Sequence, residues 1–208
     1  MKAEKIKLLV VYTVVALAWA EVLLVLTSWL LSATMTGGVR SLLSSEGVRW
    51  FFGSFTTMLA SPILVSLLLL SMAGGCLWQS GIIRKIPNRK TENHKSTVTY
   101  RERVALRSVV ALTLLYVAII VMLTAIPHAM LLSATGRLFP SPFSHALVPI
   151  VAFGVITVSS IYGIVSGRFA SLADTVSSLS FGIAKAAPLF LIYILAIQFY
   201  ESLRFVFL

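Results

Sequence analysis

The sequence predicts an all-α integral membrane protein with about five transmembrane helices, and three observations lead to this fold class. Of its 208 residues, 58% are apolar and only 12% are charged, whereas soluble domains usually carry about 25% charged residues. The mean hydropathy is +0.96. The apolar residues also gather in runs of about 20, the length that crosses the hydrocarbon core of a bilayer as a helix.

Five apolar runs follow one another along the chain, and each is predicted to be a spanning helix. The first run follows the basic residues Lys2, Lys5 and Lys7, which is the order of a signal peptide. It is longer than the apolar core of such a peptide, which has about 7 to 15 residues. We therefore expect an uncleaved first span within a single membrane domain, residues 1–208. The predicted spans are residues 8–31, 62–83, 104–126, 146–165 and 187–208.

Two semi-polar stretches between the spans are predicted to form amphipathic or interfacial helices. In residues 32–60, Gly, Ser, Thr and charged residues alternate with large apolar residues such as Trp50 and Phe51, which gather on one helical side. An interfacial or partly inserted helix fits this pattern. Residues 167–185 have the same mixed character. Proline is favoured in the first turn of a helix, so we expect the second span to begin at Pro62.

The basic residues set the predicted orientation, because Lys and Arg resist translocation across the membrane. The stretch 84–107 carries eight of the 17 basic residues, and its first part, 84–103, is predicted to be a cytoplasmic loop. With the N-terminus inside, 13 basic residues fall on the cytoplasmic side and four outside. We therefore predict the N-terminus in and the C-terminus out, in the inner membrane. The loop residues expected to bind anionic lipid headgroups are Arg84, Lys85, Arg89 and Lys90.

The residue inventory argues against several classes of function. The formal net charge is +10, but the charges are grouped at the ends of apolar runs and no base-reading element is visible among them, so we expect no nucleic-acid partner. One cysteine, Cys76, permits neither a disulfide nor a thiolate metal site within one chain. The sequence contains no HExxH, GxSxG or P-loop motif. We therefore expect no enzymatic activity, no metal and no cofactor.

Glu21 is the one carboxylate near the middle of a predicted span. An ionised acid at that depth costs about 2.5 kcal/mol or more, which makes function the default hypothesis. Glu21 is either a proton-coupling group or a neutral carboxyl bonded to Ser, Thr or Trp on a neighbouring helix or on a second subunit. Gln198 in the fifth span also needs an interhelical partner, and it is structural unless a substrate pathway runs past it.

An acidic residue and a pair of glycines are further candidates for a structural or functional role. Asp174, in the second amphipathic stretch, either caps a helix or pairs with Lys185 or Arg168. Gly74 and Gly75 lie in a seam of small residues along the second span. Such a seam permits close approach of two helices, so we expect a packing role for both glycines.

Three stretches, taken in order, resemble the p-aminobenzoyl-glutamate transporter family (AbgT type). Residues 40–82 contain SLLSSEGVRW and end in a span that closes on QSG, similar to the family's glycine-rich SG turn. Residues 102–107, ERVALR, are similar to the opening of a family helix. Residues 141–200 contain SPF, YGIVSG, DTV and QF in the family's order. The acidic residue that the family has before the SG turn is replaced here, since Trp78 and Gln79 precede it.

The resemblance implies secondary transport of p-aminobenzoyl-glutamate or a related small organic anion, in a homodimer or with a partner membrane subunit. By this resemblance, Gln79, Ser80 and Gly81 join Glu21, Asp174 and Gln198 as candidates for substrate binding or proton coupling. Family members carry a long insert with a re-entrant hairpin before ERVALR and continue past residue 208 into a second hairpin. A shortened member that retains only the dimerisation framework would be a non-transporting scaffold or accessory subunit, and this alternative stays open.

Overall fold

The computed structural model describes residues 2–34, 38–85, 100–125 and 142–208. These ranges contain α-helices and their connections, and no β-strand. The helices are α1 (Lys2–Ala33), α2 (Ser45–Leu59), α3 (Pro62–Ser80), α4 (Ile82–Lys85), α5 (Tyr100–Ala125), α6 (Pro142–Val165) and α7 (Leu172–Phe207).

Five of these helices are long and apolar enough to cross a membrane, namely α1, α3, α5, α6 and α7. The predicted fold class, an all-helical chain with about five spans, is therefore confirmed. Large apolar side chains cover the outside of these helices, and Trp19 of α1 and Phe153 of α6, for example, are 63% and 64% exposed. Such an apolar exterior is what a bilayer solvates. The direction in which the chain threads the membrane stays a prediction.

The last helix is longer than the predicted fifth span. It runs for 36 residues and includes most of the second amphipathic stretch, which is therefore not a separate helix. The reason lies in its N-terminus, where Asp174 Oδ2 accepts hydrogen bonds from the backbone N–H groups of Ala170 (2.7 Å) and Ser171 (3.0 Å). These caps start the helix before the apolar run begins. Pro188 lies inside the helix without ending it.

The chain divides into two compact units. Unit 1 contains Met1–Val65 and Ala186–Leu208, and unit 2 contains Ser66–Lys185.

In unit 1, α2 runs antiparallel to the last part of α7. Near the start of α2, the ring of Trp50 stacks on Phe205 with centroids 4.3 Å apart. At the other end of α2, the Tyr193 hydroxyl donates to the Leu59 carbonyl (3.2 Å) and lies 2.6 Å from the Ser61 hydroxyl. The predicted amphipathic helix thus packs along its length against a spanning helix.

The segment between α1 and α2 is tied to both neighbouring helices of unit 1. The Leu42 N–H donates to Ser28 Oγ of α1 (3.3 Å), and the Arg40 N–H donates to the Val206 carbonyl of α7 (3.1 Å). Leu42 and Val206 also belong to the buried cluster of this unit, which includes Leu24 and Phe205. This segment therefore holds the ends of α1 and α7 together.

In unit 2, α3 and α7 meet at two glycines. A β-carbon on Gly75 would lie 2.4 Å from the Gly182 α-carbon, and one on Gly182 would lie 2.1 Å from the Ser71 carbonyl oxygen. Each glycine follows a serine four residues earlier, Ser71 and Ser178 respectively. Both helices thus present the small-xxx-small pattern that lets two backbones come close in a membrane. Gly74, in contrast, has nothing within 4 Å of the corresponding position.

Helices α5 and α6 pair through Tyr116. Its hydroxyl donates to the Ile150 carbonyl (2.7 Å), and its ring lies where a side chain on Gly154 would be, 2.6 Å from the β-carbon position. Cys76 of α3 is fully buried, with its sulfur 3.4 Å from Ser160 Oγ of α6. A cavity of about 340 Å³ between α3, α5 and α6 is lined almost entirely by apolar side chains.

We expect Gly75→Leu to lower the free energy of unfolding by about 1–3 kcal/mol, because a side chain there forces two closely packed helices apart. Gly74→Leu is the matched control, since space beside this neighbouring residue is open. The midpoint of thermal unfolding of the purified chain in detergent measures both effects. Equal losses for the two variants would contradict the close contact at Gly75.

Candidate functional site

Glu21 of α1 is joined to α7 by a chain of hydrogen bonds. The Ser202 hydroxyl donates to Glu21 Oε1 at 2.6 Å, and Gln198 Nε2 donates to Ser202 Oγ at 3.3 Å. Gln198 and Ser202 are four residues apart and therefore lie on the same face of α7. Ser202 is fully buried, and Gln198 is 6% exposed. The structure thus brings together two of the candidates, Glu21 and Gln198, through a serine.

Within the group formed by Glu21, Ser202 and Gln198, two side-chain oxygen atoms have no hydrogen-bond partner among the described residues. They are Glu21 Oε2 and Gln198 Oε1, and both are buried. Both atoms are acceptors while the carboxyl is ionised, and a buried acceptor without a donor is unfavourable by about 1–3 kcal/mol. A proton on Glu21 Oε2 would turn one of the two acceptors into a donor.

A small cavity of about 190 Å³ lies beside Glu21. Its other lining residues are Val25, Leu42, Leu43, Val48, Phe51 and Phe52. This volume has room for a few water molecules, and Glu21 provides the polar groups that a water needs. The lining contains no basic residue that could neutralise an organic anion. The cavity suits a proton or water better than a carboxylate substrate.

A second cavity of unit 1, of about 460 Å³, is charged and partly aromatic. It is lined by Arg40, Glu46, Trp50, Glu201, Arg204, Phe205 and Leu208. The Arg40 guanidinium carbon lies 5.9 Å from the centroid of the Phe205 ring, against which Trp50 is stacked. Two guanidinium groups can bind carboxylates, and the rings offer an apolar wall. None of the four charged residues, Arg40, Glu46, Glu201 and Arg204, was predicted to belong to a site.

Asp174 and the QSG turn lie in unit 2. Asp174 caps α7, as one of the two alternatives proposed for it required. The Lys185 ammonium instead lies 4.9 Å from the centroid of the Trp78 ring and 5.4 Å from that of Phe181. Ser80 is buried and donates to the Leu77 carbonyl at 3.0 Å. The contacts of Asp174 and Ser80 therefore stabilise the ends of α7 and α3.

Gly81 follows α3 with φ of +77°, a conformation that favours glycine. The guanidinium group of Arg168 fills the space beside it, with Nη1 2.0 Å from the position that a β-carbon would take. Gln79 is half-buried. The side chains of Arg84 and Lys85, and the whole of Arg89 and Lys90, lie outside the described residues. Within the described ranges, no group of His, Cys, Asp and Glu side chains could hold a metal ion.

Sequence reasoning missed Ser202 and Gly182, although both carry a signal. Ser202 follows Gln198 by one helical turn, so a polar stripe was visible on the fifth span. Gly182 repeats, on α7, the serine-to-glycine spacing that surrounds Gly75. The charged cavity carries no such signal, because its residues come from two segments that are far apart in the chain, 40–50 and 201–208.

Comparisons with known proteins point to one family. The family model described as the AbgT putative transporter family matches residues 82–205. The crystal structure of the YdaH transporter of Alcanivorax borkumensis, described as having an unusual topology, has the same fold with a TM-score of 0.71. The sequence identity is 14%, and the match covers 91% of this chain and 70% of that chain. Among curated proteins, no sequence matches this chain.

We expect Ser202→Ala to destabilise the chain by about 1–3 kcal/mol, because the change leaves buried polar atoms of Glu21 and Gln198 without a partner. Ser177→Ala, at an exposed position of the same helix, is the control and should change stability by less than about 0.5 kcal/mol. Chemical unfolding in mixed detergent micelles measures the difference. Two equal values would show that the Ser202 bond does not link the helices.

Proposed function

Since the chain belongs to the AbgT transporter family, we propose that it is a secondary transporter that moves a small organic anion across the inner membrane together with protons. The anion we propose is p-aminobenzoyl-glutamate or a close chemical relative. The proposal depends on one observation above all, the buried hydrogen-bond chain from Glu21 through Ser202 to Gln198. We expect the protein to act as a homodimer or with a partner membrane subunit.

Glu21 is the proton-binding group in this proposal. A carboxyl inside a membrane-spanning helix is unfavourable when ionised and unpaired. Here Ser202 binds one carboxyl oxygen, while the other has no partner among the described residues. The carboxyl can therefore gain and lose a proton at Oε2 without breaking the Ser202 bond. Glu21 precedes the range matched by the family model, whereas Gln198 and Ser202 lie within it.

The charged cavity of unit 1 is the proposed binding place for the anion. Arg40 and Arg204 offer two guanidinium groups for carboxylates such as those of a glutamate moiety. Glu46 and Glu201 in the same lining offer acceptors for an amino or amide N–H group of the molecule. The stacked rings of Trp50 and Phe205 suit an aromatic portion of the same molecule. The volume of about 460 Å³ lies in the range of small-molecule pockets. Proton and anion would therefore bind at separate places in the same unit.

A non-transporting scaffold is the second candidate function. It is favoured by the roles that several predicted site residues have in the structure. Asp174 caps a helix, Ser80 bonds to its own helix, and Gly81 accommodates an arginine side chain. Such residues maintain a framework and need not touch a substrate.

Uptake into proteoliposomes that contain only this chain tests the proposed transport. We expect labelled p-aminobenzoyl-glutamate to move faster under an imposed pH gradient than in empty vesicles. Glu21→Gln should fold normally and lose the acceleration by the gradient, because the amide cannot release a proton. Glu4→Gln, at the exposed start of α1, should behave like the unchanged chain.

Two results would oppose the proposal in different ways. Flux no greater than in empty vesicles would remove transport by this chain alone and support the scaffold. Flux with unaltered gradient dependence in Glu21→Gln would leave transport standing and assign Glu21 to packing. Circular dichroism and gel filtration of each variant establish that the fold is retained.

The anion site has its own test. We expect Arg204→Gln to raise the substrate concentration for half-maximal uptake about tenfold, because a charged hydrogen-bond donor to a carboxylate is lost. Arg49→Gln is the matched control, since Arg49 is exposed on α2 and does not line the cavity. Equal half-saturation concentrations for both variants would place the anion site elsewhere.

A further inference from the structure

One side of α5 combines two basic residues with an apolar strip. Its members are Arg103, Leu106, Arg107, Val110, Ala111 and Leu114, which we call the α5 arginine groove. Their spacing of three and four residues places all of them on a single helical face. Together they border a groove of about 450 Å³.

No part of the described chain covers this face. Val110 is 58% exposed and Leu114 is 66% exposed. Of the most apolar window of α5, only 6% is buried. The face is therefore turned to the membrane rather than to the protein interior, and a hydrocarbon chain is its natural neighbour.

The two arginines concentrate positive charge at one end of the groove. Arg103 and Arg107 are one turn apart, about 6 Å along the axis, so both can reach the same phosphate. They lie in the first two turns of α5, which begins at Tyr100. The positive end of the helix dipole adds to their charge there. Glu102 does not line the groove.

The length of the groove fits one leaflet of a bilayer. From Arg103 to Leu114 the helix rises about 16 Å, and half of the hydrocarbon core is about 15 Å. A phosphate bound by the arginines would leave an acyl chain lying along Leu106, Val110 and Leu114. The charge at one end and the apolar strip below it match the two parts of a phospholipid.

From this match we propose that the α5 arginine groove is a binding site for an anionic phospholipid. The phosphate binds Arg103 and Arg107, and an acyl chain fills the apolar strip. An anionic headgroup is preferred because the groove carries two positive charges and no acidic residue. The site lies on lipid-facing α5 and is independent of the proposed transport activity.

Native mass spectrometry of the full chain in detergent, titrated with single lipids, tests this site. We expect phosphatidylglycerol to bind more tightly than phosphatidylcholine. The double variant R103Q/R107Q should weaken phosphatidylglycerol binding about 30-fold, because each arginine near the headgroup contributes about fivefold. Val110→Asn should also weaken binding, because it interrupts the acyl strip.

Arg101→Gln is the control for the single variants Arg103→Gln and Arg107→Gln, because it also removes one positive charge but from another face of α5. Arg101 lies near Gly167, with Nη1 3.5 Å from the β-carbon position of that glycine. We expect its phosphatidylglycerol affinity to change less than twofold. The proposal fails if Arg101→Gln weakens binding as much as the two single variants do, or if phosphatidylcholine binds as tightly. It also fails if glycerol phosphate binds as tightly as the lipid, which would indicate a site for free phosphate.

Discussion

Between two helices surrounded by lipid, no hydrophobic force favours contact, because lipid tails are as apolar as the side chains they replace. The helices of this protein are joined instead by short backbone approaches and single polar contacts. Gly75 and Gly182 bring α3 and α7 together, and Tyr116 bonds α5 to α6. Ser202 bonds α7 to Glu21 of α1. Among the described residues, the fully buried side chains are accordingly mostly small, with several serines among them, while most large apolar side chains face outwards.

This constraint explains which parts of the fold were predictable from the sequence. The spans are visible because about 20 apolar residues in a row have no other stable environment than a bilayer. The helix ends are less visible, since they depend on local hydrogen bonds. The hydrogen bonds between Ser171 and Asp174 start α7 well before its apolar run. The predicted second amphipathic helix and the fifth span are therefore one continuous helix. The Ser171-x-x-Asp174 capping pattern is present in the sequence, but it marks only one turn, whereas the apolar run that predicts the span extends over about 20 residues.

The candidate site was predictable only in part, for a related reason. Glu21 and Gln198 attract attention because polar groups are expensive in lipid, and the structure brings them together. Ser202, which connects them, is a residue type that occurs throughout the chain. The charged cavity depends on two segments that are distant in sequence. The depth of a residue in the membrane can be estimated from its position in one apolar segment. The residues that line a pocket can be identified only when the packing of several segments is known.

The junction between α2 and α3 shows what a single aromatic side chain contributes to a membrane protein. The helical ladder is interrupted at Ala60 and Ser61, and an interruption leaves peptide groups that lipid cannot solvate. The Tyr193 hydroxyl supplies hydrogen bonds at this interruption, because it donates to the Leu59 carbonyl and lies within hydrogen-bond distance of the Ser61 hydroxyl. A discontinuous helix pair can then lie beside an unbroken helix. Tyrosine at this position thereby supplies hydrogen-bond partners where two consecutive helices are interrupted.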